Sequence, residues 1–135
     1  MIKMPINKSE LISEIAPLLK NLGYKKRNNT WVLYLKDLDV VFNVQGSQFD
    51  TEMYYINLGI YIHELGEKKN PSISSCQIVE RVNQEFNNVN LIINVINKWI
   101  EWYGDLNLLR SKALENKLPK CTHKNVYGYL LYKSF

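Results

Sequence analysis

The chain reads as an α+β protein: an antiparallel sheet of about four strands, arranged as a meander, with an N-terminal helix and C-terminal helices packed on it. Three observations predict this. Leu11, Ile15, Leu18, Leu19 and Leu22 recur at helical spacing near the start. The stretch 40–62, VVFNVQGSQFDTEMYYINLGIYI, holds two strand-length runs whose residues alternate in character. Later, Leu91, Ile92, Val95, Ile96, Trp99, Ile100, Trp102 and Tyr103 crowd a second helical pattern.

At 135 residues the chain fits one domain, large enough to hide about two-thirds of its unfolded surface without staples. A 46% hydrophobic and 22% charged composition is neither that of a disordered chain nor that of a membrane protein. No apolar run approaches the roughly 20 residues of a membrane helix, and MIKMPINKSEL has no secretory apolar region. A cytoplasmic location without membrane contact is therefore expected. Cys76 and Cys121 stand apart from any Cys-x-x-Cys pair and are expected to be buried free thiols. The net charge of +4 favours acidic partners only weakly.

Asn7-Lys8-Ser9-Glu10 has the form of a capping box opening the first helix. Pro17 predicts a kink or a late start, and Gly23 suits a left-handed end. Lys25-Lys26-Arg27 reads as a solvated loop in preference to a phosphate-binding patch, and Asn28-Asn29 suits a turn. Residues 30–36 form a strand, and Asp37-Leu38-Asp39 the turn into the next.

Side chains alternate across a strand, so a register sorts them into faces. Folding the first hairpin about Leu38 places Tyr34 opposite Phe42 and Trp31 opposite Gln45. Folding the second about Asp50 places Val44 opposite Ile56, Phe42 opposite Leu58 and Asn43 opposite Asn57. One face, with Val32, Tyr34, Val40, Phe42, Val44, Ile56, Leu58, Ile60 and Ile62, is core. The other carries Trp31, Asn43, Gln45, Tyr55, Asn57, Gly59 and Tyr61. Three amides there admit two readings. The preferred one is a structural network; the other is a concave ligand platform walled by Trp31, Tyr55 and Tyr61 and oriented by Asn43, Gln45 and Asn57. Gly59 marks close approach of another group.

His63-Glu64 lacks the second His of a zinc-protease signature, because Glu67 stands where that His is required. Residues 75–82 are read as a further strand, with Arg81 on the face opposite Cys76 and Ile78, either in a routine ion pair or offered to a ligand. Asn87-Asn88 starts a helix buried over much of its circumference, which Gly104-Asp105 breaks; a shorter helix carries Leu106, Leu109, Ala113 and Leu114. Pro119 ends it, and residues 126–133 form a last strand or short helix. Cys121 and His123 lack the further ligands of a zinc site, so no metal or other cofactor is expected.

Five segments stand in order: Leu18-Leu19-Lys20-Asn21-Leu22-Gly23-Tyr24-Lys25-Lys26, Trp31, Asn43-Val44-Gln45-Gly46-Ser47-Gln48-Phe49, Tyr55-Ile56-Asn57-Leu58-Gly59-Ile60, and Cys76-Gln77-Ile78 with Arg81-Val82. Together they resemble the bacterial domain of unknown function family 4304. Tyr24 and Val82 replace the usual Phe and Leu. The resemblance covers the first two-thirds of the chain and implies an α+β fold with a strand at 76–82; it carries no catalytic residues.

No paired carboxylates, nucleophile with a His base, or phosphate-binding glycine loop is legible, and Ser47 lacks the setting of a nucleophile elbow. A non-catalytic binding or protein-interaction module is therefore expected, one version being a toxin-immunity protein. The alternatives are small-ligand or single-stranded nucleic-acid binding on the amide and aromatic face, or an unrecognised enzyme. The candidate binding residues are Trp31, Asn43, Gln45, Ser47, Tyr55, Asn57, Tyr61 and Arg81.

Overall fold

A computed structural model describes residues 6–46, 53–82 and 86–132. Helix α1 (Lys8–Asn21) leads into β1 (Lys25–Arg27), β2 (Thr30–Tyr34), β3 (Leu38–Gly46) and β4 (Tyr54–Ile62). Two short 3₁₀ turns, His63–Leu65 and Ile73–Ser75, precede β5 (Ile78–Val82). Helices α2 (Val89–Tyr103) and α3 (Leu106–Leu114), β6 (Cys121–Thr122) and α4 (Lys124–Tyr132) complete the chain.

All strands are antiparallel, in the order β1-β2-β3-β4-β5-β6. The fold is thus α+β as expected, with six strands among the described residues where about four were read. The additional strands are the two shortest. Lys25-Lys26-Arg27, read as a loop, is β1, and the two-residue β6 has no apolar run to announce it.

Asn7 caps α1 by accepting from the Glu10 amide at 2.9 Å, while its own amide donates to Glu10 Oε1 at 2.9 Å. Glu10 thereby closes the box through the Asn7 side chain. The helix runs on through Pro17 without a break. Gly23, at φ +96°, then turns the chain out in a conformation that suits glycine. Leu11, Ile15 and Leu19 are fully buried, each contributing about 1.5–3 kcal/mol of transfer free energy.

The β3–β4 register is the expected one, with Asn43 opposite Asn57 and Val44 opposite Ile56; its turn lies outside the described residues. The β2–β3 register is not. Trp31 pairs with Phe42 and Tyr34 with Asp39, three residues away from the expected alignment. Leu38 causes the difference: it is 1% exposed and pairs with Ile62 inside β3, so the turn tightens to Lys36-Asp37. An odd shift exchanges the faces. Trp31 and Leu33 join the helix-side core, while Val32 and Tyr34 move to the other face.

The helix-side core is built from α1, α2 and the sheet, with Phe42, Leu58, Ile60 and Ile78 at its centre. Asn88 caps α2 by accepting from the Leu91 amide at 3.1 Å. One face of α2 is buried, through Ile92, Ile96, Trp99 and Tyr103, whereas Leu91 and Trp102 are exposed. The burial is thus narrower than the expectation of much of its circumference, since α1, α3 and the sheet cover one side. The terminal segment resolves into helix α4.

Candidate functional site

The second face of the sheet is occupied in three zones. At the end near Gln45 and Tyr55 lies the amide network. Asn57, 4% exposed, donates through Nδ2 to Asn43 Oδ1 and to Gln45 Oε1, each at 3.0 Å. Asn43 donates in turn to Thr30 Oγ1 at 3.0 Å and the Asn29 carbonyl at 3.3 Å. Arg81, brought opposite Asn57 by the β4–β5 register, donates to Asn57 Oδ1 at 3.3 Å and Gln45 Oε1 at 3.0 Å. Its guanidinium lies 4.3 Å from the Tyr55 ring centroid. Arg81 is exposed, but its partners are amide oxygens and an aromatic face, where a routine ion pair was preferred.

The middle zone is roofed by the chain itself. Residues 63–77 cross the face as a strap, and Gly59 makes room for it. A Cβ at Gly59 would stand 2.7 Å from Cys76 Sγ and 2.8 Å from Ile73 Cδ1. Cys76 therefore sits on the Arg81 side of the sheet, not with Ile78 as the strand reading had it, because β5 starts only at Ile78. Tyr61, 2% exposed, accepts from the Lys68 amide at 2.7 Å. Gln77 Oε1 accepts from the Ile62 amide at 2.7 Å. Asp39, 2% exposed, meets His63 Nε2 at 2.8 Å, and His63 Nδ1 lies 3.1 Å from the Lys36 carbonyl. Both ring nitrogens thus face acceptors.

These contacts bear on nucleophilic chemistry. Burial, with the Asp39 carboxylate adding to it, pushes the Cys76 thiol up to about 12. A thiol held protonated is the opposite of an activated nucleophile. Cys121 is exposed, contrary to expectation, because β6 lies at the sheet's edge.

The third zone is open. A cleft of about 840 Å³ lies between β1–β2 and strap residues 68–75. The register puts Lys25 and Arg27 on the same side as Val32 and Thr30, facing this cleft. Lys68, Ser72 and Ser75 line the opposite wall. Tyr34 donates to Asn70 Oδ1 at 2.9 Å and joins the two walls. No carboxylate among the described residues lines the cleft. Lys26 lies at its rim, but its ammonium is 5.6 Å from the Trp31 centroid, on the other face.

Of the sequence-derived candidates, Asn43, Gln45, Tyr55, Asn57 and Arg81 are brought together, and Tyr61 lies under the strap. Trp31, 1% exposed, is on the helix side and packs on Phe42 at 5.5 Å between centroids. Ser47 is outside the described residues. The cleft was missed because its far wall, with Lys68, lies far along the chain, although Lys25-Lys26-Arg27 was its signal. Among the described residues no group of three or more His, Cys, Asp or Glu side chains is placed to hold a metal, and no helix is long and apolar enough to cross a membrane.

Fold and face together define a small α+β protein with an open antiparallel sheet, helices on one side and a self-covering strap on the other. A family model described as Domain of unknown function (DUF4304) matches residues 15–126, and the chain belongs to that family. No curated protein and no solved structure matches it.

Proposed function

We propose that the protein is a non-catalytic, cytoplasmic binding module that receives an anionic partner in the cleft between β1–β2 and the strap. The observation that carries this reading is charge. Lys25 and Arg27 on one wall and Lys68 on the other surround a concavity whose lining, among the described residues, holds hydroxyls and amides but no carboxylate. Such focusing attracts anions and speeds their encounter. A protein partner with an acidic surface is the version favoured, the toxin-immunity type among them. Base stacking has less to use, since Trp31 is buried and Tyr55 is covered by Arg81. The raised Cys76 thiol supports a non-catalytic role.

The test is a backbone-amide NMR titration with poly-glutamate, compared with a mixed single-stranded oligonucleotide. Poly-glutamate is expected to perturb β1 and strap residues 68–75, to weaken with added salt, and to lose its effect in Arg27→Glu and Lys68→Glu. Perturbations confined to the Arg81 network, or none, would overturn the assignment of the cleft. Preferential binding of the oligonucleotide would replace the acidic protein by nucleic acid.

A further inference from the structure

A single row of side chains crosses the second face from the cleft to β5. The registers set Arg27 opposite Thr30, Thr30 opposite Asn43, Asn43 opposite Asn57 and Asn57 opposite Arg81. Residues directly opposite in antiparallel strands share a face, so all of them lie on the same side as the cleft. The interior of the row is one hydrogen-bonded chain: Arg81 Nε donates to Asn57, Asn57 to Asn43, and Asn43 to Thr30. A guanidinium can only donate, and the Asn29 carbonyl, which also receives Asn43, can only accept. The two ends thereby fix which way both asparagine amides point.

The arginines that bound the row are exposed, and neither meets a carboxylate among the described residues. Arg81 is also held in place. Asn57 and Gln45 take its Nε–H and one Nη2–H, and the Tyr55 ring centroid lies 4.3 Å from the guanidinium. These partners are neutral and leave its charge uncancelled. Both N–H groups of Nη1 and the second of Nη2 have no partner among the described residues, and such an edge suits the two oxygens of a carboxylate. An arginine fixed in advance also spares a partner part of the cost of ordering it.

We propose that Arg81 is a second anchor for the acidic partner, which lays an extended segment across the strands with one carboxylate on Arg27 in the cleft and another on Arg81. The proposal rests on the cleft reading above and adds a spacing to it. Four strand-to-strand steps separate the two Cα atoms by about 19 Å. Arg81 leans over β4 to reach Gln45 of β3, which brings its guanidinium about one strand nearer, to roughly 14 Å. An extended chain rises about 3.3 Å per residue and returns to the same side every second residue, so glutamates four positions apart span about 13 Å and fit the pair. Adjacent glutamates point to opposite sides and reach only one arginine.

The experiment compares two capped peptides of one composition, Glu-Gly-Ser-Gly-Glu and Gly-Ser-Gly-Glu-Glu, added to the full chain. NMR follows the β1 amides and the Arg81 Nε–H signal, the latter assigned with Arg81→Lys. Equal charge removes non-specific attraction from the comparison. The spaced peptide is expected to move both sets of signals together and to bind severalfold tighter than its isomer, because its second contact is intramolecular. Arg81→Gln should reduce it to the level of the isomer while the β1 shifts persist; retained amide dispersion checks the fold. Should that variant unfold, the two affinities for the wild-type chain decide. Shifts in β1 with an unmoved Arg81 signal, or equal affinities of the isomers, would overturn the second anchor and leave the cleft standing. Silence at β1 would overturn both.

Discussion

Asn43 and Asn57 stand directly opposite each other in β3 and β4, joined by a 3.0 Å bond from the Asn57 amide to Asn43 Oδ1. The same Asn57 amide group also reaches Gln45, and its oxygen receives Arg81, so one buried side chain ties three strands. Replacing Asn57 by Ala strands the Asn43 oxygen and takes one partner each from Gln45 and Arg81, which keep each other. The expected loss is about 1–3 kcal/mol in urea denaturation. Arg81→Ala, whose side chain is exposed, should cost less; equal losses would refute the central place given to Asn57.

Gly59→Ala would drive a Cβ into Cys76 and Ile73. Either the strap lifts or the sheet bends, with a loss of about 1–3 kcal/mol. Adding Cys76→Ala should restore part of it, because the nearest atom is the sulfur. An unchanged melting temperature in Gly59→Ala would show that the strap does not press on β4.

How much of this was legible in the sequence depended on what marked each turn. The β3–β4 alignment followed from matching apolar and amide positions around one centre, and the pairing of Asn43 with Asn57 came with it. The β2–β3 alignment failed because Asp37-Leu38-Asp39 looks like a polar turn, whereas burial of Leu38 outweighs its charged neighbours. That single residue carried Trp31 to the wrong face. Strands β1 and β6 were hidden for another reason: three basic residues, or two residues alone, have no apolar alternation to read. The cleft depends on Lys68 meeting β1, a contact set by the strap's path and not by any local pattern.

Asp39 depends on His63 as its hydrogen-bonding partner. His63→Ala should leave a buried carboxylate uncompensated and cost about 1–2 kcal/mol, the lower part of the usual range because the imidazole is 38% exposed. Asp39→Asn in the same background should recover part of the loss, read by thermal melting. No recovery would mean that His63 acts through packing alone.

Alkali should act through the Cys76 thiol. Its value rises from 9.0 to about 12 on folding, so the folded chain keeps a proton that the unfolded chain loses. That contribution is full below about pH 9 and is lost as pH climbs towards 12. Urea midpoints at about pH 8 and about pH 10 should fall in the wild type and fall less in Cys76→Ala. Some slope remains from the Tyr103 phenol, also raised by burial and by Glu80. A slope identical in both proteins would refute the role of Cys76.

Cysteine labelling offers a direct comparison. At neutral pH the exposed Cys121 should react promptly with an aromatic disulfide, and Cys76 slowly until denaturant is added. Prompt reaction at both positions would mean that the strap opens readily.

The two outermost strands have a consequence beyond the single molecule. An open sheet exposes unpaired backbone groups along its borders, and these are templates on which further chains can stack into aggregates. Here one border is three consecutive basic residues and the other only two residues long. A second copy approaching β1 would bring like charge against like charge, and one approaching β6 would find too short a rail to grip. The brevity that hid these strands from sequence inspection also discourages the sheet from growing.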